Sequence, residues 1–238
     1  MKNIRLIHKW LSLVVVLQLL IWIGSGLFFN LMDGDKTSGN QNRQQVRSNF
    51  TFAHQDLILP KFELFTKETQ SIKLITLLAQ PYYLLNPQQA LYRYLTNDYS
   101  LINAYSGQVV IIDQSMATAI ALKSYTGSRN VASVKKLIPP IDDLPKEQNE
   151  TWQVNINDEL NTSIYVDAGS GQIINHVNDD KRFADLFFML HFMDYGSLGN
   201  FNNWQIIFFS LLMLVLSLSG FIWVIDLTRK GRYKIVKT

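Results

Sequence analysis

The 238-residue chain has no cysteine. Disulfides, thiolate metal centres and cysteine nucleophiles are therefore excluded. Histidine is scarce, with only four: His8, His54, His176 and His191. Charged residues make up 17% of the chain, and two long stretches have none at all. No zinc motif, phosphate loop or nucleophile with a nearby base is legible, so the sequence offers no catalytic residues and no metal site. What is present instead is a pair of apolar runs. The first covers Leu11 to Met32 and the second Trp204 to Ile225. Each is long enough to cross a hydrocarbon core of about 30 Å as a helix.

Charge orients the two crossings. Lys2, Arg5 and Lys9 precede the first; Arg229, Lys230, Arg232, Lys234 and Lys237 follow the second. Together with Asp226 these ends carry +7, and the segment between the helices carries −4. The positive-inside rule puts both termini in the cytoplasm and exports the central domain, as in a bacterial inner-membrane protein. The basic residues sit where lipid headgroups lie, so the charge argues for a bilayer and against nucleic acid. A basic start and apolar centre also fit a signal peptide. No A-x-A-like cleavage site follows, however, and the run continues through Leu27, Phe28 and Phe29, which favours an uncleaved signal anchor.

Patterning divides the chain into seven parts. Residues 1–10 are a basic cytoplasmic tail and 11–32 a transmembrane helix. Residues 33–112 hold a polar linker (33–48) and a degenerate strand-rich unit. Residues 113–178 form an α+β domain, 179–198 an amphipathic juxtamembrane helix, 204–227 a second transmembrane helix and 228–238 a basic tail. Asp113 or Ser115 can cap a helix ending near Gly127. Strands are expected at Val131–Leu137, Thr151–Ile156, Ser163–Asp167 and Gln172–His176, with a loop from Pro139 to Asn149. An internal echo pairs Ser106-Gly107-Gln108-Val109-Val110 with Ser170-Gly171-Gln172-Ile173-Ile174. It suggests two related α/β units in tandem.

Several of these segments carry a resemblance. The helix DQSMATAIALKSYTG, the strand Val131-Ala132-Ser133-Val134, the strand Trp152-Gln153-Val154 and the ending IYVDAGSGQII together resemble a PepSY domain. Ser170 stands where that ending usually carries Thr. Arg5-Leu6-Ile7-His8-Lys9-Trp10, the Ser25-Gly26 and Ser219-Gly220 pairs, and Asp185 to His191 resemble the PepSY-associated transmembrane proteins. The resemblance implies an α+β fold, with an exported PepSY-type antiparallel sheet-plus-helix domain flanked by two transmembrane helices. Larger relatives bind b-type haem through membrane histidines and serve ferric-iron or siderophore reduction. PepSY domains also occur in sensors and peptidase propeptides.

Three functions follow as expectations. The first is a non-catalytic accessory or binding role in a membrane complex. The second is a haem b electron-transfer subunit linked to iron or flavin reduction. The third is a periplasmic sensor or peptidase regulator. For the second, His8 and His191 are the candidate axial ligands, since imidazole suits iron. Against this stands an interfacial role for His8 beside Trp10, and a packing role for His191 among Phe and Met. The two histidines fall near opposite faces, roughly 30 Å apart by helical rise. A bis-histidine site therefore needs a second copy or a redox partner. His54 and His176 read as ordinary domain residues, and a metal site at His176 beside Asp179 and Asp180 would need a further ligand. Asp142-Asp143 read as solvating a loop. Gln18, in mid-membrane, reads as protein-facing. Gly24, Gly26, Ser217, Ser219 and Gly220 permit close helix approach.

Overall fold

A computed structural model describes residues 2–44, 57–58, 69, 71–86, 96–196 and 203–232. His54, Lys234 and Lys237 lie outside these residues. The fold is α+β. Its order is α1 (Lys2–Leu31), α2 (Gly34–Ser38), β1 (Ser71–Leu77), β2 (Gln80–Asn86), β3 (Ser100–Asn103), β4 (Val109–Val110), α3 (Gln114–Lys123), β5 (Val131–Leu137), β6 (Thr151–Ile156), β7 (Ser163–Asp167), β8 (Ile173–Val177), α4 (Asp179–Phe192) and α5 (Trp204–Arg229). The chain divides into two compact units, Asp33–Ala184 and the helical remainder, Met1–Met32 with Asp185–Thr238.

In the α+β unit, β1 to β4 form one four-stranded sheet and β5 to β8 another, each strand pairing antiparallel with the next in sequence. Alternation in the second sheet sends Val154, Ile156, Ile164 and Val166 to one face, where they pack on Ile120, Ala121 and Tyr125 of α3 and its end. The opposite face places Tyr165 and Val177 against Ile141 and Leu144 of the 138–150 loop. Both faces of β7 are thus covered, and all five of its residues are buried. Trp152 packs against the α3 cluster and also against the Tyr82, Leu84 and Leu101 cluster of the first sheet. Asp113 caps α3 by accepting from the Met116 N–H at 2.7 Å, which holds its carboxyl below the usual range. The helix stops at Lys123, four residues before the expected Gly127, because Ser124 already turns its N–H back onto Ala121 and Ile120.

The sequence echo is a repeated hairpin. In one copy the Asn103 carboxamide accepts from Tyr105 and Ser106 N–H, and in the other the Asp167 carboxylate accepts from Gly169 and Ser170 N–H. Each copy closes with a glycine N–H donated to the same strand-end residue, Gly107 to Asn103 and Gly171 to Asp167. Both glycines sit at positive φ, 69° and 68°. A side chain at Gly171 would also meet Leu77 at 2.8 Å.

Two expectations need correction. Residues 33–44 are ordered rather than a free linker. Asp33 caps α2, Gly39 ends it at φ 72°, and Asn42 and Gln44 bond to the end of α3. Asp143 does not solvate its loop; it turns inward to Arg182 and Tyr165. Only Asp142 of that pair is exposed.

Candidate functional site

Two histidine sites stand in the helical unit. Helices α1 and α5 pack together, and Val15, Gln18 and Ser25 of α1 and Ser219 of α5 are buried. Gln18 is therefore protein-facing, as its chemistry requires, although its Nε2 finds no partner among the described residues.

The first site joins α1 to α5. His8 Nδ1 lies 3.0 Å from Ser219 Oγ. The ring stands edge-on to Trp223, with centroids 5.6 Å apart. Arg5 lies over the same indole at 5.8 Å and reaches Asp226 at 3.9 Å. The second site joins α4 to α1. His191 Nδ1 lies 2.8 Å from Ser25 Oγ, with Phe29 and Phe192 edge-on to the ring. Phe28 stacks on Phe187 beside it at 3.9 Å. Helix α4 does not extend the second crossing, since it ends at Phe192 and α5 starts afresh at Trp204, capped by Asn203.

Each serine hydroxyl also lies within hydrogen-bond distance of a carbonyl of its own helix, Ser25 of Ile21 at 2.7 Å and Ser219 of Leu216 at 2.8 Å. With the single hydroxyl proton on that carbonyl, Nδ1 of the imidazole donates and Nε2 carries the lone pair; with it on Nδ1, the two roles are exchanged. Among the described residues neither Nε2 has a hydrogen-bond partner. An Nδ1–H held by a protein acceptor with Nε2 open is the arrangement of metal-ligating histidines.

Each serine precedes a glycine, and the ring rests over it. His191 Cε1 would lie 3.8 Å from a Cβ at Gly26, an ordinary contact, and His8 Cε1 only 2.9 Å from one at Gly220. In the sequence the two Ser-Gly pairs were visible as part of the family resemblance, and Gly26, Ser219 and Gly220 also as close-packing residues. Their repetition, once in each crossing, was the available signal that each receives a histidine. Ser25 and His8 are seventeen residues apart on α1. At 1.5 Å per residue the sites lie about 25 Å apart. The structure does not bring His8 and His191 together.

His176 lies within the α+β unit, fully buried on β8. Its Nε2 is 2.9 Å from Ser124 Oγ, which also lies 2.8 Å from the Ala121 carbonyl. Nδ1 has no partner. Burial, with the positive Arg43 nearby, lowers its pKa to about 4. No cluster of His, Asp or Glu able to hold a metal exists among the described residues.

Two apolar helices of membrane-crossing length and an α+β unit define a membrane-associated protein with a sheet-plus-helix domain. The chain matches the PepSY-associated TM region family over residues 5–237 and belongs to it. It is a membrane-associated PepSY-domain protein. No curated protein and no solved structure matches it.

Proposed function

We propose that this chain is an accessory subunit of a membrane complex, offering half of each of two b-type haem sites that another chain completes. The observation carrying this reading is the pair of serine-held imidazoles with open Nε2 atoms, about 25 Å apart along one helix. One histidine per site leaves each incomplete in a single copy, which supports a second copy or a redox partner protein as the source of the other ligand. The donor chemistry fits haem iron, and bound haem would supply one-electron transfer. The chain's own part is to hold the Nδ1 proton on serine, fix ring orientation over glycine, and exclude water with Trp223, Phe28, Phe29 and Phe187. In this reading both termini are cytoplasmic, the first helix is an uncleaved anchor, and the PepSY domain is periplasmic in the inner membrane.

Visible spectra of protein purified in mild detergent from haem-replete cells test the reading. A Soret band with a dithionite-reduced α-band is expected, diminished in His8→Ala and in His191→Ala and absent in the double variant. A colourless wild-type protein would sink it. Glycine contacts sharpen the test. Gly220→Ala is expected to cut occupancy of the His8 site several-fold, because its Cβ would press on Cε1 at 2.9 Å. Gly26→Ala is expected to leave the His191 site nearly full. Equal losses would show that the rings are not held as described.

A further inference from the structure

We infer that a groove at the end of β5, in the PepSY unit, binds a lysine or arginine side chain presented by an extended segment of a partner polypeptide. The groove encloses about 330 Å³ and is lined by Leu137, Ile138, Pro140, Ile141, Asp142, Asp143, Gln153 and Tyr165. That volume is within the range of small-ligand sites. The proposal does not depend on the histidine sites.

The polar chemistry of the groove is one-sided. Gln153 turns its amide N–H donors to the Tyr165 hydroxyl oxygen at 2.9 Å and the Ser163 hydroxyl oxygen at 3.5 Å. Tyr165 in turn donates to Asp143 at 2.8 Å, and burial together with this carboxylate raises the phenol's pKa, so it stays a donor to Asp143 alone. Asp143 is neutralised by Arg182, whose guanidinium meets both its oxygens at 2.8 and 3.3 Å. Asp142 has no hydrogen bond or ion pair among the described residues, and it is exposed. The groove's side chains thus offer a free carboxylate and no free donor. A ligand must bring the donor, and a cation complements the charge.

The walls define the rest of the ligand. Leu137, Ile138, Pro140 and Ile141 are apolar, and Ile138 is 73% exposed at the rim. Lysine and arginine combine an aliphatic stem with a charged head, which matches apolar walls leading to Asp142. β5 pairs only with β6 among the described residues. Its outer edge leads into the groove at Leu137, so an extended segment could pair its main chain there while one side chain enters. This favours a polypeptide over a free polyamine.

The test uses the full chain in lipid nanodiscs with isoleucine δ1 methyls labelled for NMR. The probe is the peptide acetyl-Ala-Leu-Arg-Leu-Ala-amide. Saturable shifts are expected at Ile138 and Ile141. Replacing the arginine by norleucine, or Asp142→Asn in the protein, is expected to weaken binding roughly threefold to fivefold. Ile138→Ser, at an exposed position that leaves folding intact, is expected to weaken it as well. The proposal is overturned if peptide at about 5 mM produces no saturable shift. It also fails if norleucine binds equally, if neither variant weakens binding, or if spermidine competes as tightly as the peptide.

Discussion

Lowering the pH from 6.5 to 4 is expected to remove about 3 kcal/mol of stability from the PepSY unit through His176 alone. The buried ring has a folded pKa of about 4 against an ordinary 6.5. As pH falls through 6.5 the unfolded chain takes up the proton and the folded chain does not. Stability is therefore full above about 6.5, declines through the interval, and levels off below about 4. The cause is local: a proton on Nδ1 would be buried without a partner and near Arg43. Of the groups around the ring, Arg43 bears the charge, and the Tyr125 phenol, 6.1 Å away, is kept neutral by burial and by Asp158. His176→Leu should abolish this slope at little cost near pH 7, since the Ser124 hydroxyl keeps the Ala121 carbonyl as a partner at 2.8 Å and is not orphaned. Urea unfolding of the full chain in detergent at pH 7 and pH 4.5, for wild type and variant, checks this. Parallel losses in the two proteins would assign the acid sensitivity elsewhere. Asp113 and Asp158 are held below the usual carboxylate range, Asp158 by Tyr125 and Thr162 against its own burial. Their contributions are lost at still lower pH, which separates them from His176.

What could be read from the sequence was whatever depends on neighbours in the chain. The two crossings follow from uncharged runs with basic ends. Strands β5, β6 and β7 follow from alternation, and the twin hairpins follow from Ser-Gly-Gln recurring before apolar pairs. What could not be read depends on distant partners. Residues 33–44 have the composition of a linker, yet the positive φ of Gly39 brings the chain against the His176 carbonyl, where a Cβ would be 2.5 Å away. Asp143 looks like a loop carboxylate until Arg182, far along the sequence, arrives beside it. The histidines were legible as candidates, but their partners were not. Each meets a serine of another helix, a pairing that no single spacing in the chain relates.

Trp152→Ala is expected to be the most damaging single change, costing about 4 kcal/mol. The indole packs on the α3 cluster of the second sheet and on the Tyr82, Leu84 and Leu101 cluster of the first. Its Nε1–H donates to the Ile112 carbonyl at 3.0 Å, in the segment joining β4 to α3. Truncation removes apolar area from both clusters, leaves a cavity between them and frees that carbonyl. Trp152→Phe isolates the components, because it keeps much of the packing and loses the hydrogen bond, with an expected cost of about 1.5 kcal/mol. Both variants can be measured by urea unfolding at pH 7, above the His176 window. If the residue couples the two sheets, Trp152→Ala should also lower the slope of unfolding with urea, because the sheets would no longer melt as one cooperative body. An unchanged slope with a loss below about 1 kcal/mol would mean that the sheets cohere through α3 without the indole.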